Sequence, residues 1–257
     1  MNYRAVLALC LCICACSVKE NRADCPCELT VRPQGAVETE GSVLVSVIQD
    51  GTVVKQGMLS REEFEEGKCR LSVSRKATIV TVFAGITEMD LLRGRRLDIR
   101  KHHQCDAVYS CSEVRVLDSD SYECIVRLHK NYARLDLTVV NMPDEAGLNV
   151  SGSVQGYDMM DSLPYEGDFN CTPEDGESIG SCSLRLPRQL ASDLSMSLLE
   201  DGGNIMSIPL GGLIAMTGYS FEDEDLKDIS MTLDLQKLSI RITVGGWEEQ
   251  EIPISVN

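Results

Sequence analysis

The sequence predicts an all-β protein of sandwich type, with a few short helices. Apolar and polar residues alternate with a period of two through most of the chain after Glu28, as in strands with one buried face. Turn residues separate these runs, and helical periodicity is confined to two segments, 60–67 and 220–228. Many short strands with frequent turns are typical of β-sandwiches.

Composition excludes some classes of function. The 257 residues are 43% hydrophobic and 25% charged, which is typical of a folded globular protein. The formal net charge of −16 repels phosphate backbones, and the one basic run, RGRRLDIRKHH at 93–103, is better explained as a solvated strand and loop. We therefore expect no nucleic-acid partner.

The first residues form an apolar leader. Eleven uncharged, mostly apolar residues follow Arg4, at positions 5–15. As a helix they span about 16 Å, roughly half of a bilayer core, which is too short for a transmembrane helix. Their length fits the apolar region of a signal peptide, so we expect residues 1–15 to be removed.

Cys16 is the predicted lipid-attachment residue. The segment Ile13-Cys14-Ala15-Cys16 resembles the lipobox of bacterial lipoproteins, and of the four leader cysteines only Cys16 follows a small residue. The resemblance implies that Cys16 becomes the mature N-terminus and carries diacylglycerol and an N-acyl chain such as palmitate. Two or three acyl chains, at about 0.8 kcal/mol per buried CH₂, anchor a protein stably. A plain secretory signal is the alternative, whereas a metal site is disfavoured because the run holds no charged residue or histidine.

The predicted strands follow in order. SVLVSVI at 42–48 and TVVKQG at 52–57 flank Asp50-Gly51 and predict a hairpin. The further runs are CRLSVSR at 69–75, TIVTVFAG at 78–85, residues 148–154, SCSLRLP at 181–187, residues 194–198, NIMSIPL at 204–210 and ISMTLDLQKLSIRITVGGW at 229–247, the last as two strands joined at Gln236-Lys237. Short helices are predicted at 60–67 and, from a capping box at Ser220 and Asp223, at 220–228.

A change of strand phase indicates the domain boundary. Residues 122–128 place their apolar side chains in one phase and residues 133–139 in the other, and one flat strand cannot bury both sets. A bulge or a passage between two sandwiches resolves the conflict. We predict a tether at 16–27, an N-terminal sandwich at 28–128 and a C-terminal sandwich at 129–257, both of ordinary domain size.

The sequence predicts no enzyme. GESIG at 176–180 matches the nucleophile elbow G-x-S-x-G, but no histidine follows it to act as the base. His102 and His103 are adjacent, so on a strand they point to opposite faces, and with Cys105 they make at most part of a zinc site. We therefore predict no catalytic residue, no metal, no cofactor and no small-molecule substrate.

The cysteines after Cys16 permit disulfides. Their even number fits an exported chain, although eight cysteines allow 105 full pairings. Cys171 and Cys182 flank an acidic loop, so a hairpin cross-link between them is the first pairing to test. Buried free thiols are the competing interpretation for Cys69 and Cys124, which lie in apolar strand phases.

Several segments together resemble the FimB-type fimbrial anchor family, the minor subunits of type V fimbriae. The first is CSVKENRADCPCELTV at 16–31, in which a lipid cysteine precedes Lys-Glu and Asp-Cys-Pro-Cys. The others are VRLHKNYARLDLTV at 126–139, VSGSVQGYDMMD at 150–161, LRLPRQ at 184–189, SIPLGGLIAMTGY at 207–219 and ITVGGWEEQEI at 242–252. They cover nearly the whole chain in order, with a looser match between residues 59 and 116.

This resemblance implies two tandem transthyretin-like β-sandwiches, lipid-anchored in the outer membrane and exposed at the cell surface. The expected function is to anchor the fimbrial shaft and to limit its length, with shaft subunits as partners joined by β-strand addition. Ile252, Ile254 and Val256 alternate near the C-terminus and mark a strand that is either exchanged or closes its own sheet, with Pro253 confining it to an edge. The alternative function is a surface lipoprotein that binds glycan or another ligand through its sandwich loops.

Overall fold

The computed structural model describes residues 22–87, 91–143, 146–173, 180–200 and 203–245, and the backbone of 247–253. Strands dominate this part of the chain, which also holds two helices of five and seven residues. The predicted all-β fold class is therefore confirmed.

The elements are numbered in chain order. The strands are β1 Pro26–Pro33, β2 Ser42–Gln49, β3 Thr52–Ser60, β4 Cys69–Ser74, β5 Ala77–Ile86, β6 Leu92–Arg93, β7 Arg96–Asp98, β8 Tyr109–Val116, β9 Ser121–Val126, β10 His129–Lys130, β11 Tyr132–Val140, β12 Gly147–Asp158, β13 Pro164–Cys171, β14 Ser181–Pro187, β15 Ser195–Glu200, β16 Gly203–Ile208, β17 Ile229–Asp234, β18 Ser239–Val244 and β19 Trp247–Pro253. The helices are α1 Arg61–Glu65 and α2 Leu210–Met216.

Four sheets form two sandwiches. In the first sandwich, a sheet of order β4-β1-β9 faces one of order β10-β8-β5-β2-β3. In the second, a sheet of order β14-β11-β17-β18-β19 faces one of order β16-β15-β12-β7-β6, in which β13 also pairs with β12. Each sandwich has its own core of inward-facing aliphatic residues, as the alternating pattern predicts.

Seven strands of each sandwich follow the same path. The strands β1, β2, β3, β4, β5, β8 and β9 of the first correspond in order to β11–β17 of the second. In both sandwiches the first of these seven strands, β1 or β11, lies between two others. It is antiparallel to the fourth, β4 or β14, and parallel to the seventh, β9 or β17. The registers also agree, because the Val31 and Cys69 pair corresponds to the Leu137 and Cys182 pair. The chain is therefore a tandem structural repeat.

The hairpin predicted at Asp50-Gly51 is confirmed. It joins β2 to β3, and both turn residues have positive φ, 51° for Asp50 and 74° for Gly51. Two consecutive positive φ angles define the type I′ turn, whose twist matches that of the flanking strands. Aspartate tolerates this backbone conformation and glycine adopts it without steric cost.

One of the two helix predictions, the one at 60–67, was right. Ser60 caps α1 through a capping box with Glu63, whose backbone N–H donates to the Ser60 hydroxyl at 3.2 Å. The predicted helix at 220–228 was wrong, since this segment forms turns. Its carbonyl groups at Phe221, Asp223 and Glu224 accept hydrogen bonds from the Arg188 side chain. These carbonyl groups therefore bind a side chain instead of the backbone N–H groups of a helix.

A short arm from the first half of the chain joins the second sandwich. The strand β6 ends at the first residue of the basic run and β7 lies within the run; they pair with each other, and β7 pairs with β12 through Asp98 and Gly156. Conversely, β10 pairs with β8 of the first sandwich. Strand pairing therefore joins residues on the two sides of the predicted boundary at 128 and 129, in the sheets of both sandwiches. The domain limits 28–128 and 129–257 stay a prediction.

Candidate functional site

The two sandwiches meet at an apolar junction. A third cluster of buried residues, separate from the two cores, combines side chains of both halves: Leu44, Phe83, Ile86, Leu97, Val108, Tyr157 and Met159. The rings of Phe83 and Tyr157 lie 6.1 Å apart at an interplanar angle of 47°, a tilted pair of the kind that aromatic rings favour. The junction therefore buries large side chains on both sides.

Asn131 and Arg188 connect the halves by hydrogen bonds. Asn131 lies just before β11, and its side chain donates to Ser110 on β8 of the first sandwich. Its side-chain oxygen accepts from Arg188 Nε at 2.5 Å, and its carbonyl accepts from the Tyr157 hydroxyl at 2.8 Å. Both Asn131 and Arg188 are buried. A buried polar network of this kind fixes relative position because each member needs its partners.

Arg188 also holds the segment that follows α2. Its guanidinium donates to the carbonyl oxygens of Phe221 at 2.5 Å, Asp223 at 2.7 Å and Glu224 at 3.0 Å. Burial lowers the pKa of this guanidinium and raises that of the Tyr157 phenol well above its ordinary value. Tyr157 is therefore neutral at physiological pH and acts as a hydrogen-bond donor.

Sequence reasoning missed this network. Its members lie in segments that carry the family resemblance, HKNYAR for Asn131, QGYDMM for Tyr157 and LRLPRQ for Arg188. A signal was available in LRLPRQ, where an arginine follows directly on an apolar strand and a proline. Asn131, Tyr157 and Arg188 lie far apart in the sequence, and only the fold brings them together.

A cavity of about 380 Å³ opens beside the junction. Its walls include Arg100, Asp106, Arg185 and Tyr157, together with His102 and His103 from the basic run. Asp106 accepts hydrogen bonds from the backbone N–H and the hydroxyl of Thr87. The cavity combines charges of both signs with apolar side chains such as Leu97 and Val108, and a few polar groups on an apolar lining are typical of ligand sites.

A second charged cluster lies at the surface. His129, Glu224 and Asp225 place one potential ligand atom each within 4.8 Å of the others. His129 Nε2 lies 3.2 Å from Glu224, and the Arg127 guanidinium lies 3.9 Å and 3.7 Å from the two carboxylates. The Arg127 guanidinium thus lies against both carboxylates, and the cluster is explained as an ion-pair network.

The cysteines of the described residues are recorded as free thiols. Cys171 and Cys182 are buried in the second core, but β13 and β14 belong to facing sheets, so the connection between them is not the predicted hairpin. A disulfide between them would join the two sheets and stays a prediction. Burial raises the pKa of Cys171 to about 12 and that of Cys69 to about 11, which keeps these thiols protonated at neutral pH.

The C-terminal strand pairs within its own chain. β19 runs antiparallel to β18, with Ile252 opposite Ile240, and forms the edge of its sheet. Pro253 stands at the end of this edge strand, a position that tolerates the missing N–H. Ile254 and Val256 lie outside the described residues, so exchange of this strand stays a prediction.

Other predicted features also lie outside the described residues. These are the leader, the lipid-attachment residue Cys16, and residues 176–179 of the GESIG segment. Among the residues that the structure does describe, no helix is long and apolar enough to cross a membrane.

Comparison with solved structures gives the fold. A scan against protein-family models and a search of curated proteins gave no match. The solved structures include a candidate polysaccharide-binding protein from Bacteroides thetaiotaomicron, with a TM-score of 0.63, 13% identity and coverage of 89% of this chain and 98% of that one. They also include the fimbrial anchor protein Mfa2 from Porphyromonas gingivalis, with a TM-score of 0.57, 13% identity and coverage of 87% and 98%.

A candidate adhesin from Bacteroides ovatus is similar to the same degree. Its TM-score is 0.58 at 13% identity, with coverage of 88% of this chain and 95% of that one. These neighbours are named as fimbrial, adhesin-type or polysaccharide-binding proteins and not as enzymes. The chain shares its tandem β-sandwich fold with these proteins, over nearly the full length of each.

Proposed function

We propose that this protein is a cell-surface subunit of fimbrial type that is held in the outer membrane by lipid on Cys16 and anchors a fimbrial shaft. One observation carries the proposal: a segment that resembles a lipobox, ending at Cys16, precedes a chain that folds, over nearly its whole length, like the fimbrial anchor protein Mfa2. The segments that resemble the FimB-type family support it, because three of them meet at the junction of the sandwiches.

The fold suits a load-bearing role. The junction buries aromatic and aliphatic side chains and adds the Asn131 and Arg188 network, so the two sandwiches are held together without relying on surface ion pairs. Within the described residues several sheets end in edge strands, the surfaces to which another subunit can add a strand. Limitation of shaft length would follow if an anchored subunit ends the series of additions.

Replacement of the lipid-attachment residue tests the proposal. In cells that make the fimbriae, Cys16→Ala should abolish incorporation of labelled palmitate and release most of the shaft protein into the medium. Cys14→Ala is the matched control, since Cys14 belongs to the predicted leader and should leave both readouts unchanged. Shaft protein that stays on the cells in the Cys16→Ala strain would contradict anchoring.

Ligand binding is the second candidate function. The cavity beside the junction favours it, as does similarity to a structure named as a candidate polysaccharide-binding protein. Among the described lining residues, Tyr157 is the one Phe, Tyr or Trp, and it is only 1% exposed, so it offers no stacking face to a sugar. Reproducible hits on a glycan array that disappear in a Gln104→Ala, His103→Ala double variant would establish this function.

A further inference from the structure

The cavity beside the junction continues into two others. This first cavity, of about 380 Å³, shares the lining residues Thr87, Asp106 and Arg185 with a second cavity of about 570 Å³. The second cavity shares Val37 and Glu38 with a third cavity of about 310 Å³. Cavities with common walls adjoin each other, so the three form one groove, which we call the junction groove. Because roughly 300–1,000 Å³ holds a drug-sized ligand, the groove has room for a chain of linked units.

The walls of the second cavity are held in place by the fold. Two connecting segments, one before β2 and one before β8, line it. The Thr39 hydroxyl of the former donates to the Ala107 carbonyl of the latter at 3.0 Å, and the Val37 N–H donates to the Glu65 carboxylate at 2.7 Å. A Cβ atom at Gly85 would lie 2.3 Å from the Ala107 carbonyl oxygen, so the glycine permits this close approach. A wall fixed before binding loses little conformational entropy when a ligand arrives.

Hydrogen-bonding groups of both kinds line the second cavity. Glu38 and Glu40 are exposed there, and their carboxylate oxygens act only as acceptors. Arg61 lines the same cavity, and its Nε is buried without a hydrogen-bond partner among the described residues. Because an unsatisfied buried donor is costly, a ligand acceptor at this place would be stabilising.

Two tyrosines give the groove aromatic surface beyond the first cavity. Tyr132 lines the second cavity and Tyr109 the third, and both are half-buried. Their rings lie 5.9 Å apart at an interplanar angle of 74°, in the edge-to-face arrangement that aromatic pairs favour. The Lys130 ammonium lies 4.7 Å from the centre of the Tyr132 ring. These contacts fix the position of the rings, against which the C–H groups of a sugar ring can pack.

We propose that the junction groove binds a neutral oligosaccharide. Each sugar hydroxyl both donates and accepts, so hydroxyls of one ligand can accept from Arg61 and donate to Glu38 or Glu40. The exposed carboxylates repel phosphate, sulfate and uronate groups, whereas the guanidinium repels a cationic chain. Charges of both signs therefore favour a ligand without net charge. This inference rests on the second candidate function, ligand binding, and names its ligand class.

A glycan array tests the ligand class. The full-length protein, solubilised in detergent, should bind neutral oligosaccharides of hexose and N-acetylhexosamine units and should leave uronate- and sulfate-bearing glycans unbound. Binding should be stronger for oligosaccharides than for the corresponding monosaccharides, because the groove continues through three cavities. Binding mainly to the acidic glycans, or to no neutral glycan, would overturn the proposal.

Substitutions in the second cavity test the site, with titration calorimetry of the strongest neutral glycan as the measurement. Arg61→Ala removes the buried donor, and Glu40→Gln replaces a carboxylate by a neutral amide. Each should raise the Kd about tenfold or more, since hydrogen bonds to charged groups are lost. Arg70→Ala is the matched control, because Arg70 is an exposed arginine outside the groove that lies 3.9 Å from Glu28. It should leave the Kd unchanged.

A further variant covers the case in which Arg61→Ala impairs folding. Arg61→Lys keeps the charge but has no Nε, and should also weaken binding while the thermal unfolding midpoint stays unchanged. Folded variants at Arg61 and Glu40 that bind with the wild-type Kd would overturn the proposal. If binding is then lost only in the Gln104→Ala, His103→Ala double variant, ligand binding stands while the second cavity is rejected. Anchoring through Cys16 is tested separately by release of the shaft.

Discussion

Arg188 shows how far a single side chain can depart from the expectation for its residue type. Arginine is almost never fully buried unless its donors are satisfied. Arg188 is 8% exposed, and its guanidinium reaches three carbonyl oxygens of residues 221–224 and the side chain of Asn131. One residue thus fixes both the segment after α2 and the start of β11.

Removal of this guanidinium should be costly. Arg188→Ala leaves two buried acceptors, the Phe221 carbonyl and Asn131 Oδ1, without this donor, and we expect the free energy of unfolding to fall by about 2–4 kcal/mol. Arg70→Ala is the control, because Arg70 is exposed and lies 3.9 Å from Glu28 in an exposed pair. That change should cost about 0.5 kcal/mol or less. Urea unfolding measures the free energy of unfolding of both variants. Equal decreases would contradict the role of Arg188 as a buried donor.

At the level of elements, α2 depends on one of its two adjacent glycines. A Cβ atom at Gly211 would lie 2.6 Å from the backbone of Ser192, closer than any relaxed packing allows. A Cβ at Gly212 would meet nothing within 4 Å. Gly211 therefore permits the close approach of the helix to the segment before β15, whereas Gly212 has no such role.

The two glycines should respond in opposite ways to the same substitution. Gly212→Ala should leave stability unchanged or raise it by up to about 1 kcal/mol, because alanine favours the helical state over glycine. Gly211→Ala should lower the free energy of unfolding by about 1–3 kcal/mol through steric conflict with backbone atoms. Thermal unfolding monitored by circular dichroism measures both, and a stabilised Gly211→Ala variant would show that the contact is not tight.

Elements could be predicted to different degrees from the sequence. Alternation and turn residues identified strands such as β5 and the β2–β3 hairpin, because these signals are local. The helix α2 was missed, since its two glycines disfavour helix formation and only contact with Ser192 explains one of them. The false helix at 220–228 had a plausible cap at Ser220, but tertiary hydrogen bonds from Arg188 prevailed over the local signal.

For the molecule as a whole, the junction determines whether the sandwiches act together. Phe83 and Val82 are neighbours on β5 with opposite orientations, and Phe83 belongs to the junction cluster while Val82 belongs to the first core. Both are fully buried. This pair therefore separates the contribution of the junction from that of a sandwich core.

Calorimetry of two variants should reveal the coupling. The wild type should unfold in one transition whose van't Hoff enthalpy equals its calorimetric enthalpy. Phe83→Ala removes an aromatic side chain from the junction, at a cost of about 3–5 kcal/mol, and should split the transition in two. Val82→Ala should lower the midpoint of a single transition. One transition in Phe83→Ala, with equal enthalpies, would show that the junction does not couple the halves.

The pairing of strands that are distant in the chain could not be predicted from the sequence. The sandwich class followed from alternation, and the phase change between residues 122–128 and 133–139 corresponds to the passage from β9 to β11. The pairing of β7 with β12 was not predicted, because nothing in the basic run identifies a partner about sixty residues away. The lipid site, outside the described residues, stays a prediction of the leader alone.

The position of β1 has a mechanical consequence for a chain held at Cys16. Tension on a fibre would enter the folded part at the N-terminal end of β1, directed along that strand. β1 lies between β4 and β9, pairing with β4 from Pro26 to Val31 and with β9 from Glu28 to Pro33. A pull along the strand loads all of these hydrogen bonds sideways at once, so they must break together. In a chain anchored in this way, the central place of β1 would oppose extraction by shear.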